Sequence, residues 1–303
     1  MLATSSIAPD TKTNAWLRRS RILLAVALAW GVLHFGAGAL LEPGLDRPIV
    51  LMPTGGILAA LVLLIAAAAA GYAGRWLDGA TPGPTVGVIV LMTGVALWSW
   101  PAGTMDDWLK LANPAPGAPS GAAYAALLPE YVLWVLVMLA AVQACRLAGG
   151  AATGSFEGAS AAGRAAGDAS PAWPGWTALV LTAALSGALV LILSGPRTDA
   201  TYRGQVYFAL ALGFYGGGWA ASRLTHVKAP RWYLPAPFLV GVFGLLWAMS
   251  QPALPGRYAE INIIPANGLA RALPIETVSV GALALLLLLR GLTHKPAQRT
   301  GDV

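Results

Sequence analysis

Eight stretches of about twenty residues, none containing a lysine, make up most of this chain and restrict it to one environment. They run approximately over 22–41, 50–72, 84–102, 129–148, 176–195, 204–222, 234–251 and 274–292. Acidic side chains enter them only at Glu130 and Glu276, each at the start of a stretch. Inside hydrocarbon a backbone must satisfy its own N–H and C=O groups, so each stretch is expected to be a helix. The alternating polarity of a membrane β-strand is missing from these runs. Composition agrees, since only 11% of the 303 residues are charged against roughly 25% in a soluble domain. The expected fold is an all-α membrane protein of about eight transmembrane helices.

Charge placement orients the helices. With the N-terminus inside, 13 of the 19 Lys and Arg residues fall in inner segments, among them Arg18, Arg19, Arg21, Arg75, Arg223 and Lys228. The outer loops hold Arg47, Lys110, Arg197, Arg203, Arg257 and Arg271. An excess of basic residues marks the cytoplasmic side, so a multi-pass protein of the cell's inner membrane with both termini in the cytoplasm is expected. Tryptophans near the inner ends (Trp16, Trp76, Trp173, Trp219) and near the outer ends (Trp98, Trp100, Trp108, Trp247) fit an interfacial belt. The arginines before residue 22 resemble a signal peptide, with Ala37-Gly38-Ala39 in the place of a cleavage site. The apolar run is longer than the roughly 7–15 residues of such a peptide, and it reads as a retained first helix.

The two halves resemble each other. The second stretch closes with Ala70-Gly71-Tyr72-Ala73-Gly74-Arg75, the sixth with Gly217-Gly218-Trp219-Ala220-Ala221-Ser222-Arg223. The third ends Leu97-Trp98-Ser99-Trp100-Pro101, the seventh Leu246-Trp247-Ala248-Met249-Ser250-Gln251-Pro252. Long outer loops then lead to Leu127-Leu128-Pro129-Glu130 and to Leu273-Pro274-Ile275-Glu276, with all offsets between 145 and 151 residues. Similar matches in the same order imply two four-helix repeats. An even number of spans per unit makes them parallel. The expected organisation is a cytoplasmic segment 1–21, a first repeat 22–148, a Gly/Ala/Ser-rich linker 149–173, a second repeat 174–292 and a cytoplasmic tail 293–303.

Several residues could carry function. Glu130 and Glu276 are either intramembrane acids serving a pathway or first-turn acids solvated at the outer interface, beside first-turn prolines. His34 lies within the first stretch, either as a pathway residue or as a packed histidine. Arg203 and Gln205 open the sixth stretch and could contact an anionic group, or they are ordinary snorkelling residues. Trp98 and Trp100 could stack on a ligand or only anchor the interface. The run Thr104-Met105-Asp106-Asp107 reads as a helix start, leading into a short surface helix in an outer loop too long and apolar for a mere connector.

Other classes are disfavoured. The single Cys145 rules out an intramolecular disulfide or cysteine cluster and reads as an inert buried thiol. No lysine is placed for a retinal Schiff base, and no nucleophile elbow, zincin motif or phosphate loop occurs. No cofactor, metal or nucleic-acid partner is expected, and an enzyme, for instance one modifying lipids, is the least favoured class. What remains is a secondary transporter or permease component handling a small molecule or ion between the repeats, or a non-catalytic subunit of a larger membrane complex. A fluorescent protein fused after Val303 is expected to fold and fluoresce, and alkaline phosphatase fused there to stay inactive. The opposite pair of results would invert the topology.

Overall fold

The computed structural model describes residues 11–41, 47–54, 56–78, 85–112, 120–149, 173–195, 201–251, 254–255, 263–265 and 267–293. Nearly all of the 149–173 linker and the 293–303 tail lie outside these ranges. The described residues are mostly helical, with one pair of two-residue strands.

Helices occupy all eight apolar stretches. The first is α1 (Thr11–Val32), which widens into a π-helical turn at Leu33–Ala37 and closes as α2 (Gly38–Leu41). After α3 (Leu51–Thr54) come α4 (Gly56–Asp78), α5 (Thr85–Ser99), α6 (Met105–Ala112), α7 (Gly121–Ala125) and α8 (Leu128–Gly149). The second half holds α9 (Trp173–Ser194), α10 (Arg203–Thr225), α11 (Ala236–Met249) and α12 (Pro274–Thr293).

Among the described residues, six helical segments are long and apolar enough to cross a membrane: Arg19–Ala37, Gly56–Ala73, Gly121–Cys145, Trp173–Ser194, Pro230–Met249 and Pro274–Leu292. The chain is therefore a polytopic membrane protein by length and composition. The other two long helices depart from the pattern for physical reasons. With 15 residues, α5 spans only about 22 Å, short of a bilayer core of about 30 Å. With 23 residues, α10 is long enough, but glycines, tyrosines and an arginine near each end dilute its hydropathy.

Packing places α5 and α12 at the centre. In the first half α4 lies along α1, α5 and α8, while in the second α9 lies along α10 and α10 along α12. The halves meet where α12 runs beside α5 and touches α8, and where α11 touches α7 and α8. Of its most apolar window α12 buries 72%, whereas the first helix buries 22% and turns Leu23, Leu24, Leu28 and Phe35 outward. Such an apolar outer face suits contact with lipid.

Glycines set the closest approaches. A Cβ on Gly71 of α4 would stand 2.7 Å from the Ala141 carbonyl oxygen of α8. Nearby, the Cys145 thiol donates to the Gly71 carbonyl oxygen at 3.2 Å. A Cβ on Gly217 of α10 would stand 2.6 Å from the Ser186 nitrogen of α9. Small residues let helix backbones approach this closely in membranes. The partners differ, however, since the second helix of each half is clamped to the fourth in one case and to the first in the other.

The turn after α5, the helices α6 and α7, and the loop after α11 interleave at one end of the bundle, here called the cap. The N–H and hydroxyl of Thr104 both donate to Asp107, at 2.7 and 2.9 Å, and start α6. Trp108 of α6 donates its indole N–H to the Ala123 carbonyl oxygen of α7. Strand β1 (Leu254–Pro255) pairs antiparallel with β2 (Ile263–Ile264), and α6 packs on β2 and on the 3₁₀ turn at Gly268–Arg271. Gly71→Ala and Gly217→Ala are each expected to cost about 1–3 kcal/mol through overpacking, read as a lower Tm in detergent. Gly31→Ala, where nothing lies within 4 Å, is expected to be neutral or stabilising.

Candidate functional site

The densest polar contacts between the halves lie just beneath the cap. Pro274 brings no N–H to the first turn of α12, and the Leu273 N–H is taken by Glu276 Oε2 at 2.9 Å. The other carboxylate oxygen, Oε1, accepts from Arg203 Nε at 3.1 Å. Arg203 opens α10, and its terminal nitrogens donate to the carbonyl oxygens of Trp100 and Gly103 in the turn after α5. One guanidinium thus ties α10, α12 and the end of α5 together. The pair is sheltered, with the Glu276 side chain 2% exposed and that of Arg203 12%.

Hydroxyl groups extend this clasp along the seam. One turn beyond Arg203, the Tyr207 hydroxyl pairs with that of Ser99 at 2.5 Å and reaches the Ala96 carbonyl oxygen at 3.0 Å. Its ring meets Trp100 edge-on at 5.0 Å. From α8, the Tyr131 hydroxyl bonds the Thr277 side chain and lies in the field of both Glu130 and Glu276. It occupies the space a Cβ on Gly241 would need. Glu130 is fully buried, and its N–H donates to Leu127 as that of Glu276 does to Leu273, at 3.1 and 3.0 Å. The sequence allowed solvated first-turn acids. The turns are of that kind, but both side chains are buried.

A second polar group lies within the cap. Asp106 accepts the Thr201 N–H and hydroxyl, each at 2.6 Å. Arg271 donates to the Ser194 carbonyl oxygen at 3.1 Å, and the Gln205 amide donates to the same oxygen at 2.9 Å and to that of Leu193 at 3.3 Å. Together they close the open end of α9, where Gly195 turns the chain with φ of +55°. Ser194, Thr201, Tyr202, Gln205, Val206 and Arg271 line a narrow cleft with no room for a water molecule. Burial pushes the Asp106 carboxyl above its ordinary value; the two bonds from Thr201 and the charge of Arg271 oppose this, and Asp107 adds to it. Burial lowers Arg271, against the opposing charge of Asp106.

The seven residues singled out in the sequence divide accordingly. Arg203 and Glu276 meet directly, and Glu130 joins their surroundings through Tyr131. Gln205 serves the end of α9. Trp98 is core, 1% exposed, with an indole N–H lacking a partner among the described residues, whereas Trp100 is 52% exposed at the rim. His34 is partly buried in the π-helical turn, stacked on Trp30 at 5.0 Å and edge-on to Phe35, apart from the seam. Tyr131, Tyr207, Ser99, Thr277, Thr201 and Arg271 escaped the sequence reading, because hydroxyls in apolar helices and a lone loop arginine carry no local signal. Among the described residues no three His, Cys, Asp or Glu side chains gather as a metal site would require. Comparison with protein-family models, with curated proteins and with solved structures finds no match.

Because the folded protein holds the Asp106 carboxyl above its unfolded value, its contribution to stability is fully present below the ordinary carboxylate range. That contribution is lost as pH rises through the raised value. In thermal unfolding, wild type is expected to lose stability relative to Asp106→Asn as pH rises from about 4 to about 7. A pH-independent difference between the two would contradict this.

Proposed function

We propose that the chain is a permease component of the inner membrane, with eight crossings in two parallel four-helix repeats and a pathway along the seam between them. The polar seam carries this reading. Side chains from α5 and α8 of one half and from α10 and α12 of the other meet there, and both intramembrane carboxylates are fully sequestered in it. Buried acids are costly in a membrane and mark ion or substrate routes more often than packing. The equivalent first turns at Glu130 and Glu276 support the repeat, as does the recurrence of contacts between first and second, first and third, and second and fourth helices of each half. The basic residues Arg223, Lys228 and Arg231, at the end opposite the cap, support a cap facing away from the cytoplasm. In this arrangement the pathway is closed at the cap, with Arg203 as the bolt.

One observation favours a second reading, a non-catalytic subunit of a larger membrane complex. The Arg203–Glu276 clasp also satisfies a backbone N–H and two carbonyl groups, as a purely structural lock would. Water access separates the two. With Cys145 replaced by alanine, Ser279→Cys places a lone thiol at a fully buried position one turn past Glu276. In a permease, membrane-impermeant thiol reagents are expected to modify it from one side or the other as the seam opens. A thiol that never reacts, in a protein that purifies from native membrane with stoichiometric partners, would sink the permease reading.

A further inference from the structure

We propose that Glu276 is a proton-binding site whose protonation releases Arg203 and opens the cap end of the seam, so that the ion coupled to the pathway is the proton. This rests on the permease reading above and names its ion.

The packing of the seam selects the ion. The Glu276 carboxylate already has both oxygens engaged, one with Leu273 and one with Arg203. A metal cation there would need several oxygen ligands and room for itself, and it would meet the guanidinium charge at contact distance. Thr277 and Ser279, the next polar side chains along α12, are 1% exposed or less, which leaves no space for an ion with its ligands. A proton needs no cavity. It binds an oxygen already in place and removes the charge that holds Arg203.

The groups facing Glu276 from each neighbouring element leave one ionic partner. From α10 come the Arg203 guanidinium and the Tyr207 hydroxyl, and from α8 the Tyr131 hydroxyl, with Glu130 next to it in the chain. From α5 comes the Ser99 hydroxyl, through Tyr207. Among its described residues α11 carries no ionisable side chain. Neutralising the carboxylate leaves the guanidinium with carbonyl partners and no counter-charge in a sheltered site, which favours its movement to water. Arg203 stands at the rim, so its shortest way out is toward the cap surface. Leaving, it also lets go of Trp100 and Gly103, and with them the turn that joins α5 to α6. The proton comes from water on the cap side, rests on a Glu276 oxygen while the cap end of the seam is open, and leaves to water on the opposite side of the membrane before Arg203 closes the cap again. No covalent bond other than this O–H forms or breaks.

The Ser279→Cys reporter, with Cys145 replaced by alanine, tests the proposal through its rate of reaction with an impermeant thiol reagent added on the cap side. Rates are divided by those of a Tyr202→Cys control at the exposed rim, which removes the pH dependence of thiol ionisation. Loss of a charge-assisted bond corresponds to a change of about tenfold or more, so the normalised rate should rise by that factor from about pH 8 to about pH 5. Adding Glu276→Gln should make labelling fast at both pH values, whereas Glu276→Asp should keep the dependence. A normalised rate flat with pH, or a dependence that persists in Glu276→Gln, overturns the proton site while leaving the pathway standing. A thiol that stays unmodified at every pH and in every variant overturns the pathway as well.

Discussion

A charged or polar side chain in a membrane-embedded bundle must find its partner within the chain, because lipid offers none. Arg203 and Glu276 meet that condition for each other, and much else at the cap end follows from their meeting. The pair fixes the depth at which α10 and α12 begin. Through Arg203 it also pins the turn after α5. Tyr207, Ser99, Tyr131 and Thr277 then extend the polar contact along an otherwise apolar interface. Elsewhere the helices are held by close approach, with glycines such as Gly71 and Gly217 bringing backbones together.

The cap is the second consequence. Carboxylates at the first turns of α8 and α12 would ordinarily face water, where the helix dipole favours them. Both are buried instead, and at that end Asp106 holds Thr201 of the segment before α10, Arg271 caps the end of α9, and Asn267 bonds Gly244 of α11 and Ala270 of its own turn. Two layers of polar contact, one within the cap and one beneath it, separate the central helices from the cap surface.

How much of this was legible in the sequence depends on the range of each interaction. Helix positions were, because a run of apolar residues forces a helix in lipid regardless of neighbours. The start of α6 was too, since Thr104 and Asp107 stand three residues apart and meet locally. The contrast between Trp98 and Trp100 was legible in principle, for residues two apart on a helix point about 200° apart. The clasp was not, since Arg203 and Glu276 are separated by 73 positions and only the crossing of α10 and α12 joins them. Burial of Glu130 and Glu276 was hidden for the same reason, because it depends on how helices distant in sequence pack. The bond between Asp106 and Thr201 spans 95 positions and gives no sign in either segment.

The central claim is that Arg203 and Glu276 act as a pair within the second half, and that the pair holds the guanidinium against the carbonyl groups of Trp100 and Gly103 in the first. A double-mutant cycle with Arg203→Gln, Glu276→Gln and both together, read as unfolding free energy in lipid nanodiscs, measures that pair most directly. The account predicts that each single change destabilises, and that the double variant falls short of the summed effects by about 1–3 kcal/mol. Effects that simply add would show that the two residues act independently, and Arg203 would not owe its position at the turn after α5 to Glu276.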